Sequence, residues 1–438
     1  MIIDILNSSI DPAGVNIRKA IDSLIATGET FPLFDGNEIT FHTTDQRIIN
    51  ADNSCVNPDA DLIIVVSRHS SVNPVPVLTV HPAGNFGAAQ LGGRDFTQGK
   101  TAPAWMKSIL QNEAEFVPEG YRVSYEITHH GPTDFPAPFF FVEVGSTEKE
   151  WNDEAAYTAA AKAVLFAHPA SDTIPLIGFG GTHYAVRQTA IGLETRGAFG
   201  HIMHTRDVCN VTKEIVAQMA EKTGGVFGAH VDKKSLSRQD IARLEGVLSA
   251  LEIPEITEGD LLKLNAMSYD SWVKFSEFAK TFNKDIKLFP HGTIADGEPA
   301  IIQIPDDLFS CAFAKYSDVL TDYLKSCGNV FHSTGASGKL LPYIFTTADF
   351  RAHVYGDLIA LAVQNITRTQ DSVVSDDTII ITRRVFDAKL ARNLGVRSGP
   401  LFGQLSAGKS VMLEDGREIT PDMVMQKTEV IIHIPGLE

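Results

Sequence analysis

The feature that most constrains the fold is an alternation of short apolar runs and helical segments over the first 200 residues. The runs are rich in β-branched and aromatic residues, as buried strands are: MIIDIL, ADLIIVVS, PVLTVH, RVSYEIT, FFFVEV and IPLIGFG. Between them lie the helical segments VNIRKAIDSLIAT, APAWMKSILQ and TEKEWNDEAAYTAAAKAVLFA. The last of these opens with a capping-box pattern, Thr147 followed by Glu150. The alternation predicts an α/β domain with a mostly parallel sheet.

The pattern changes further along the chain. Residues 206–284 are mostly helical in composition, and residues 285–438 are mixed with weaker periodicity. We therefore predict two domains, an α/β domain with a helical end at 1–284 and a smaller mixed α+β domain at 285–438. A chain of 438 residues is long enough for two or three domains of ordinary size.

The charge balance bears on possible partners. With 37 basic and 54 acidic residues the net charge is −17, which on average repels nucleic acid. An RNA partner would need a local basic patch, and the stretch 379–410 offers one, because it carries a single acidic residue, Asp387. Its basic residues are Arg383, Arg384, Lys389, Arg392, Arg397 and Lys409. A solvated basic face without a partner explains the same composition, and this alternative stays open.

Composition also bears on location. No apolar run approaches the roughly 18 residues of a membrane span, and no basic leader precedes the first short apolar run, as it would in a signal peptide. The cysteines lack metal-site spacing and are typical of reduced thiols in a cytosolic protein: Cys55, Cys209, Cys311 and Cys327. We expect a cytoplasmic protein without membrane contact.

The segment GQLSAGKS, at 403–410, matches the phosphate-binding pattern G-x-x-x-x-G-K-[ST]. A working phosphate loop needs a hydrophobic strand before it and a helix after it. Here a Gly-Pro pair lies just before the segment, and the residues after it predict a hairpin turning at Asp415 and Gly416. These flanks argue against a nucleotide-driven enzyme.

Histidines and a glutamate follow or end several predicted strands. They are His69 after LIIVVS, His81 after VLTV, His129 and His130 after VSYEI, Glu143 after FFFV, His183 after IPLIGF, and His201 in AFGHIM. Parallel strands would bring them together, because the functional crevice of an open α/β sheet lies outside the carboxyl ends of its strands. Imidazole binds zinc and shuttles protons near neutral pH. For each single histidine a purely structural role stays open.

The chemistry that fits these residue types is hydrolysis by an activated water molecule, with donors holding the oxyanion. Glycines near the strand ends, such as Gly84 and Gly87, let a backbone approach a ligand closely. No G-x-S-x-G elbow for a serine nucleophile is present, and no HExxH or paired CxxC spacing specifies a metal.

Six blocks occur in order: SRHSS, LTVHPAGNFGAAQLGG, YEITHHGPT, FVEVGSTEKEW, GFGGTHYA and ETRGAFGHI. As a set they resemble the archaeal and plant type of D-aminoacyl-tRNA deacylase, over roughly residues 1–275. The resemblance implies an enzyme that hydrolyses the ester between a D-amino acid and the 3′ end of tRNA, with Zn²⁺ as cofactor. It also implies a three-layer αβα fold like those of phosphorylases and peptidyl-tRNA hydrolases. Within ETRGAFG, Arg196 and Gly197 depart from the expected pattern.

The resemblance assigns roles only as expectations. The expected catalytic residues are His81, His129, Glu143 and His183. The expected substrate-binding residues are Ser67, Arg68, Gly84, Asn85, Thr133, Ser146, Thr147 and Lys149. The expected metal ligands are His130, His183 and His201, although the motifs do not separate metal binding from water handling. From the basic stretch, the expected tRNA contacts are Arg383, Arg384, Arg392, Arg397 and Lys409.

The segment GPLFGQLSAGKSVMLEDGREITPDMV is similar to part of ribonuclease Z enzymes, which favours a tRNA-handling or structural element in the second domain. We expect a monomer that acts on tRNA and not on DNA. The alternatives are another tRNA or nucleoside hydrolase of the same fold, such as a peptidyl-tRNA hydrolase, and a tRNA-binding protein without catalysis.

Overall fold

The computed structural model describes residues 1–72, 74–169 and 171–434. The chain divides into two compact units, Met1–Asn265 and Ala266–Glu438.

The division lies 19 residues before the predicted boundary at 284. The cause is the helix Tyr269–Lys280, whose buried Phe275 and Ala279 pack with Leu288, Phe331 and Phe345 of the second unit. The apolar face of an amphipathic helix predicts that the helix is packed, but not which domain it packs against.

The strands of the first unit are β1 (Ile2–Ser8), β2 (Glu38–Thr44), β3 (Leu62–Arg68), β4 (Val77–His81), β5 (Arg122–Tyr125), β6 (Phe139–Gly145), β7 (Ile174–Phe179), β8 (Gly197–Met203) and β9 (Gly228–Val231). Its α-helices are α1 (Pro12–Ile25), α2 (Pro103–Phe116), α3 (Glu148–Trp151), α4 (Glu154–Leu165), α5 (Val186–Glu194), α6 (Lys213–Lys222), α7 (Arg238–Ala250) and α8 (Glu258–Leu264). Every apolar run predicted as a strand forms one. The helix predicted from TEKEW onward is interrupted, because Asp153 caps the start of α4. The predicted capping box of Thr147 and Glu150 is confirmed at the start of α3.

The main sheet has the order β2-β1-β3-β6-β4-β5. Strands β2, β1, β3 and β6 run parallel, whereas β4 is antiparallel to β6 and parallel to β5. A second sheet, β8-β7-β9, is entirely parallel. The α/β class and a mostly parallel sheet are confirmed, but the reversal of β4 and β5 was not predicted.

The register of the reversed strand positions a carboxylate in the middle of the main sheet. Glu143 on β6 lies opposite Ser67 of β3 on one side and Thr79 of β4 on the other. His81, two residues further along β4, lies opposite Phe141. The histidine and the glutamate therefore occupy diagonal positions on neighbouring strands, within reach of each other.

The segment that follows β5 connects the two sheets. The amide of Ile127 donates to the His183 carbonyl (3.1 Å), and the amide of Thr128 donates to the Ile202 carbonyl (2.8 Å). Because this segment hydrogen-bonds to β8 and to the loop that follows β7, it brings polar residues of both sheets to one place.

Helices α1, α2 and α4 pack on one face of the main sheet. Asp11 caps α1 by accepting from the amide of Gly14 (3.0 Å), and a Cβ atom at Gly14 would lie 2.6 Å from the Val66 carbonyl oxygen, so the glycine permits the close approach to β3. The opposite face is covered by loop residues and 3₁₀ turns, including Ile48 and Val56.

The second unit contains the strands β10 (Lys287–His291), β11 (Pro299–Gln303), β12 (Val330–Thr334), β13 (Leu340–Thr347), β14 (Ser372–Ser375), β15 (Thr378–Phe386), β16 (Val411–Met412), β17 (Glu418–Ile419) and β18 (Met425–His433). Its α-helices are α9 (Tyr269–Lys280), α10 (Asp306–Phe313), α11 (Ser317–Cys327), α12 (Arg351–Thr369), α13 (Ala388–Asn393) and α14 (Pro400–Ser406). Its sheets have the orders β10-β12-β13-β11, β14-β15-β18 and β16-β17. All of these pairings are antiparallel.

The segment GQLSAGKS is not a phosphate loop. Helix α14 comes before its lysine, and the hairpin β16–β17 follows, as predicted, with Gly416 at a φ of +82° in the turn. A strand-loop-helix order would be needed to direct backbone N–H groups at a phosphate. Within the described ranges, no helix is both long and apolar enough to cross a membrane.

Candidate active site

Glu126 lies at the centre of a group of histidines, immediately after β5. Its side chain is fully buried. Its Oε1 lies 3.0 Å from Nδ1 of His69, and its Oε2 lies 3.0 Å from Nε2 of His183 and 3.4 Å from Nε2 of His129. Burial raises the pKa of this carboxyl, but His183 and His69 together hold it well below its usual range. Glu126 is therefore an ionised carboxylate inside the protein.

Glu143 supplies a second buried carboxylate. Ser67 donates a hydrogen bond of 2.6 Å to its Oε1, and its Oε2 lies 3.6 Å from both Nδ1 of His69 and Nε2 of His81. Burial raises the pKa of Glu143, but the neighbouring His69 and His81 lower it well below its ordinary value. The site thus holds two negative charges that its imidazoles must balance.

Three histidines, His81, His129 and His130, share one arrangement. In each, Nδ1 lies within hydrogen-bond distance of a backbone carbonyl: Pro82 at 3.1 Å, Ile127 at 2.7 Å and Gly131 at 2.7 Å. A carbonyl only accepts, so Nδ1 carries the proton and Nε2 carries a lone pair when the ring is neutral. The three imidazoles offer ligand atoms within 4.8 Å of one another. Anchoring Nδ1 in this way is how proteins orient metal-binding histidines.

The pKa values of two of these rings keep them neutral at pH 7. Burial and the neighbouring His130 and His81 lower the pKa of His129 well below its ordinary value. Burial and His81 lower the pKa of His130 to about 4. A neutral Nε2 of His129 then faces a carboxylate oxygen of Glu126 at 3.4 Å, and both atoms carry lone pairs. Such a pair is stable only when a cation or a proton lies between the two atoms.

The donor set fits a zinc ion. Zinc in proteins is bound by neutral imidazole nitrogens and carboxylate oxygens, and one group that offers such atoms is His81, His129 and His130. The buried Nε2 of His81 has no hydrogen-bond partner. Buried polar atoms without partners are costly, and a bound cation would satisfy them.

His69 is held from three sides. Its Nε2 lies 3.0 Å from the hydroxyl of Tyr184, and its backbone carbonyl accepts a hydrogen bond of 2.8 Å from the indole of Trp151. Burial lowers the pKa of this imidazole, but Glu126 and Glu143 raise it to about 11. The ring is therefore cationic at neutral pH and balances the buried carboxylates.

A cavity of about 440 Å³ opens beside this group. His69, His129, His130, Glu143 and His183 line it. Its wall also includes Arg47, Arg68 and Arg206. The imidazoles and carboxylates thus border a space large enough for a ligand, with guanidinium groups around it.

All four residues predicted to be catalytic come together. His81, His129, Glu143 and His183 all lie in this group, as does His130 from the expected metal ligands. His201 does not. Its Nε2 lies 2.9 Å from the carbonyl of Gly99, and its Nδ1 lies 3.1 Å from Oγ1 of Thr128, which itself accepts from the amide of Ile202. Both ring nitrogens are therefore used within the fold.

The predicted substrate-binding residues fall into two sets. Ser67 bonds Glu143, Arg68 lines the large cavity, and Gly84 and Asn85 line a neighbouring cavity of about 320 Å³. The others lie outside these two cavities: Thr133 accepts from the amide of Arg94, Ser146 donates to the carbonyl of Val75, Thr147 caps α3, and Lys149 is exposed.

The residues predicted to contact tRNA all lie on the surface of the second unit. Arg383, Arg384, Arg392, Arg397 and Lys409 are exposed. Arg384 pairs with Asp422 at 2.8 Å, and Arg383 donates to Sγ of Cys311 at 3.2 Å. Their exposure is what a polyanionic partner requires.

The sequence analysis assigned no role to Glu126. It identified His69 only as a histidine that follows a strand. The available signal for Glu126 was a charged residue within the apolar run RVSYEIT, because a glutamate is almost never fully buried unless it is paired.

Comparison with known proteins identifies the family of this chain. A family model described as D-aminoacyl-tRNA deacylase matches residues 56–256. A D-aminoacyl-tRNA deacylase of Methanocorpusculum labreanum is 66% identical over 100% of this chain and 99% of its own length. The chain belongs to the D-aminoacyl-tRNA deacylase family. Further members, from Methanoculleus marisnigri and Halorubrum lacusprofundi, are 39% and 30% identical, over 100% and 86% of this chain and 99% and 80% of their own lengths.

Among solved structures, this member of the family is similar to a conserved protein of unknown function, with a TM-score of 0.54 and 29% identity. The similarity covers 60% of this chain and 97% of the other. Part of the present chain therefore has no counterpart in that protein.

Proposed function

We propose that this protein hydrolyses the ester bond of D-aminoacyl-tRNA and releases free D-amino acid and tRNA. The observation that carries the proposal is the buried carboxylate of Glu126 with His69, His129 and His183 around it, beside a cavity. Membership of the deacylase family supports the same reaction.

A zinc ion is the cofactor that this donor set suits. His129 and His130 would hold it through Nε2, together with His81. When bound, zinc lowers the pKa of a water molecule and polarises the ester carbonyl. His201, whose nitrogens are both engaged elsewhere, is not part of this set.

His183 is the candidate general base. Nε2 of His183 lies 3.0 Å from Oε2 of Glu126, and an ionised carboxylate only accepts, so we infer that the proton is on Nε2 and the lone pair is on Nδ1. The side chain is 38% exposed and lines the large cavity, so Nδ1 can take a proton from an attacking water molecule. Glu126 fixes the tautomer and stabilises the imidazolium that forms, as the aspartate does in a serine protease triad.

Glu143 and Ser67 act on the opposite side of the group. The hydroxyl of Ser67 fixes the carboxylate of Glu143, whose other oxygen lies 3.6 Å from His81 and from His69. The pair keeps those two imidazoles in place, and thereby keeps the Nε2 of His81 directed into the group.

The tRNA body is the proposed partner of the exposed basic residues of the second unit. The protein as a whole carries a net charge of −17, so a polyanion approaches it favourably only at such a patch. We also propose that the protein acts as a monomer in the cytoplasm. The proposal includes a three-layer αβα fold related to phosphorylases and peptidyl-tRNA hydrolases for the first unit, of which helices α1, α2 and α4 on one face of the main sheet form one helical layer.

The test is to incubate the purified protein with matched D- and L-tyrosyl-tRNA, with and without a chelator, and to follow loss of the ester. We expect rapid loss from the D form only, and slower loss after chelation. Replacing His183 or His81 by alanine should abolish hydrolysis while circular dichroism stays unchanged. Full activity in both variants would refute the assignment of the site, and equal rates on both enantiomers would refute the substrate class.

A further inference from the structure

We propose that the two cavities beside His129 and His130 divide the substrate between them. The larger cavity takes the 3′-terminal nucleotides of the tRNA, and the smaller takes the D-aminoacyl group. This inference rests on the proposed function. Both imidazoles line both cavities, which have volumes of about 440 and 320 Å³. An ester joins the two halves of the substrate, so the halves extend in different directions from a carbonyl held at this shared wall.

The charges around the larger cavity fit a nucleotide. Arg47 and Arg68 line only this cavity, and Arg206 lines both. Arg47 is exposed and, within the described residues, forms no ion pair. The guanidinium of Arg68 lies 5.1 Å from the ring centre of Trp151 and 4.0 Å from Asp11. Guanidinium groups bind phosphate well, and the 3′ end of tRNA brings phosphates on the side of the ester away from the amino acid.

The smaller cavity is lined mostly by uncharged residues. Much of its wall is the segment from Gly84 to Leu91, in which Gly87 and Ala88 have little or no side chain. Its charged lining residues are Arg206 and Asp207, and Oδ2 of Asp207 lies 3.7 Å from Nε of Arg206. An aminoacyl ester carries an α-ammonium group, and the carboxylate of Asp207 attracts such a cation, whereas two of the three arginines, Arg47 and Arg68, line only the larger cavity.

The first experiment tests the nucleotide side. Arg47→Gln removes one phosphate contact, so the dependence of log kcat/KM for D-tyrosyl-tRNA on log salt concentration should become shallower by about 0.7, the value for a single-stranded nucleic acid. Arg238→Gln is the matched control, because Arg238 is an exposed arginine of the same unit that lines neither cavity. The control should leave the slope unchanged.

The second experiment tests the aminoacyl side. A Cβ atom at Gly87 meets no atom within 4 Å, and Gly87 lines the smaller cavity, so Gly87→Val adds side-chain volume to that wall. We expect kcat/KM for D-tyrosyl-tRNA to fall by about tenfold or more relative to D-alanyl-tRNA, because steric exclusion discriminates by side-chain size. Gly246→Val is the control, since a Cβ atom there also meets no atom within 4 Å and Gly246 lies on α7, outside both cavities.

Each half of the assignment has its own contrary result. If Arg47→Gln changes the salt slope no more than Arg238→Gln does, the nucleotide assignment is overturned. If Gly87→Val affects D-alanyl- and D-tyrosyl-tRNA equally, the aminoacyl assignment is overturned. Wild-type protein that releases no D-amino acid from either substrate would instead refute the proposed function, before any variant is compared.

Discussion

The two units use ionisable side chains in opposite ways. In the first unit, glutamates, aspartates, histidines and a lysine are buried, and several of them meet around Glu126. In the described part of the second unit His291 is the one buried ionisable side chain, and the cores there consist of residues such as Phe331 and Leu358. Buried charge is costly unless it is paired. The difference indicates that the first unit gives up stability for chemistry, whereas the second keeps its charges on the surface.

The largest expected effect comes from Glu126, one of two buried glutamates of the first unit that can be compared. Glu126→Gln should lower kcat/KM for D-tyrosyl-tRNA by about 10² to 10⁴, the usual contribution of acid–base machinery, because a neutral amide no longer stabilises an imidazolium at His183. Glu113→Gln is the matched control. Burial raises the pKa of Glu113 well above its ordinary value, so its carboxyl is already neutral, and the amide should change the rate little. Equal losses in the two variants would contradict the role of Glu126.

The apolar core of the second unit should respond in stability and not in chemistry. Leu358 on α12 is fully buried among apolar side chains. Leu358→Ala should lower the free energy of unfolding by about 2–5 kcal/mol, through lost burial and the cavity that remains. Urea unfolding followed by fluorescence measures this loss, and kcat on D-tyrosyl-tRNA should stay unchanged where the variant is folded. A large fall in kcat would show that the units do not separate stability from chemistry.

A buried histidine should make the first unit sensitive to acid. His230 on β9 is buried, and its Nδ1 has no hydrogen-bond partner. Burial and the neighbouring Arg187 lower its pKa to about 4, against about 6.5 when unfolded. Between these values the unfolded chain binds more protons, so stability is lost as the pH falls from 6.5 towards 4. The loss between pH 7 and pH 5 should be about 2 kcal/mol.

His230→Gln should remove that share of the pH dependence. The measurement is the free energy of unfolding at pH 7 and at pH 5 for both proteins. If the free energy of unfolding changes by the same amount between pH 7 and pH 5 in both proteins, His230 is not held neutral by its surroundings.

The smallest effect is expected from the surface of the second unit. Replacing Arg383, Arg392 and Arg397 together by glutamine should raise KM for D-tyrosyl-tRNA on the order of tenfold at low salt, with kcat unchanged, because exposed cations bind phosphates weakly and in a salt-dependent way. Arg351→Gln is the control, because Arg351 is an exposed arginine of the same unit that lies outside the basic stretch. A fall in kcat with constant KM would contradict a role in binding alone.

The sequence predicts much of the first unit and less of the second. The apolar runs are strands because β-branched and aromatic residues suit buried strands, and the meeting of His69, His129 and His183 was predicted from their positions at strand ends. The reversed direction of β4 could not be predicted, because an apolar run looks the same in either direction. Its consequence, the diagonal approach of His81 to Glu143, was therefore found only in the structure.

His201 and Glu126 show that residue type alone does not identify the side chains of the site. His201 was an expected metal ligand, yet its bonds to Gly99 and Thr128 use both nitrogens, and such bonds depend on tertiary contacts that span 102 and 73 positions of the chain. Glu126 was given no role, because a single carboxylate between Tyr125 and Ile127 carries no motif. The boundary between the units was also displaced, since the packing of α9 is decided by distant residues such as Phe331.

The most direct test of the central claim is a double-mutant cycle on kcat/KM for D-tyrosyl-tRNA with Glu126→Gln, His183→Ala and both together. If the buried carboxylate and the imidazole act as one unit, the double variant should be no slower than the slower single variant. If the two losses multiply, the residues act independently, and the account of a single site organised around Glu126 would be contradicted.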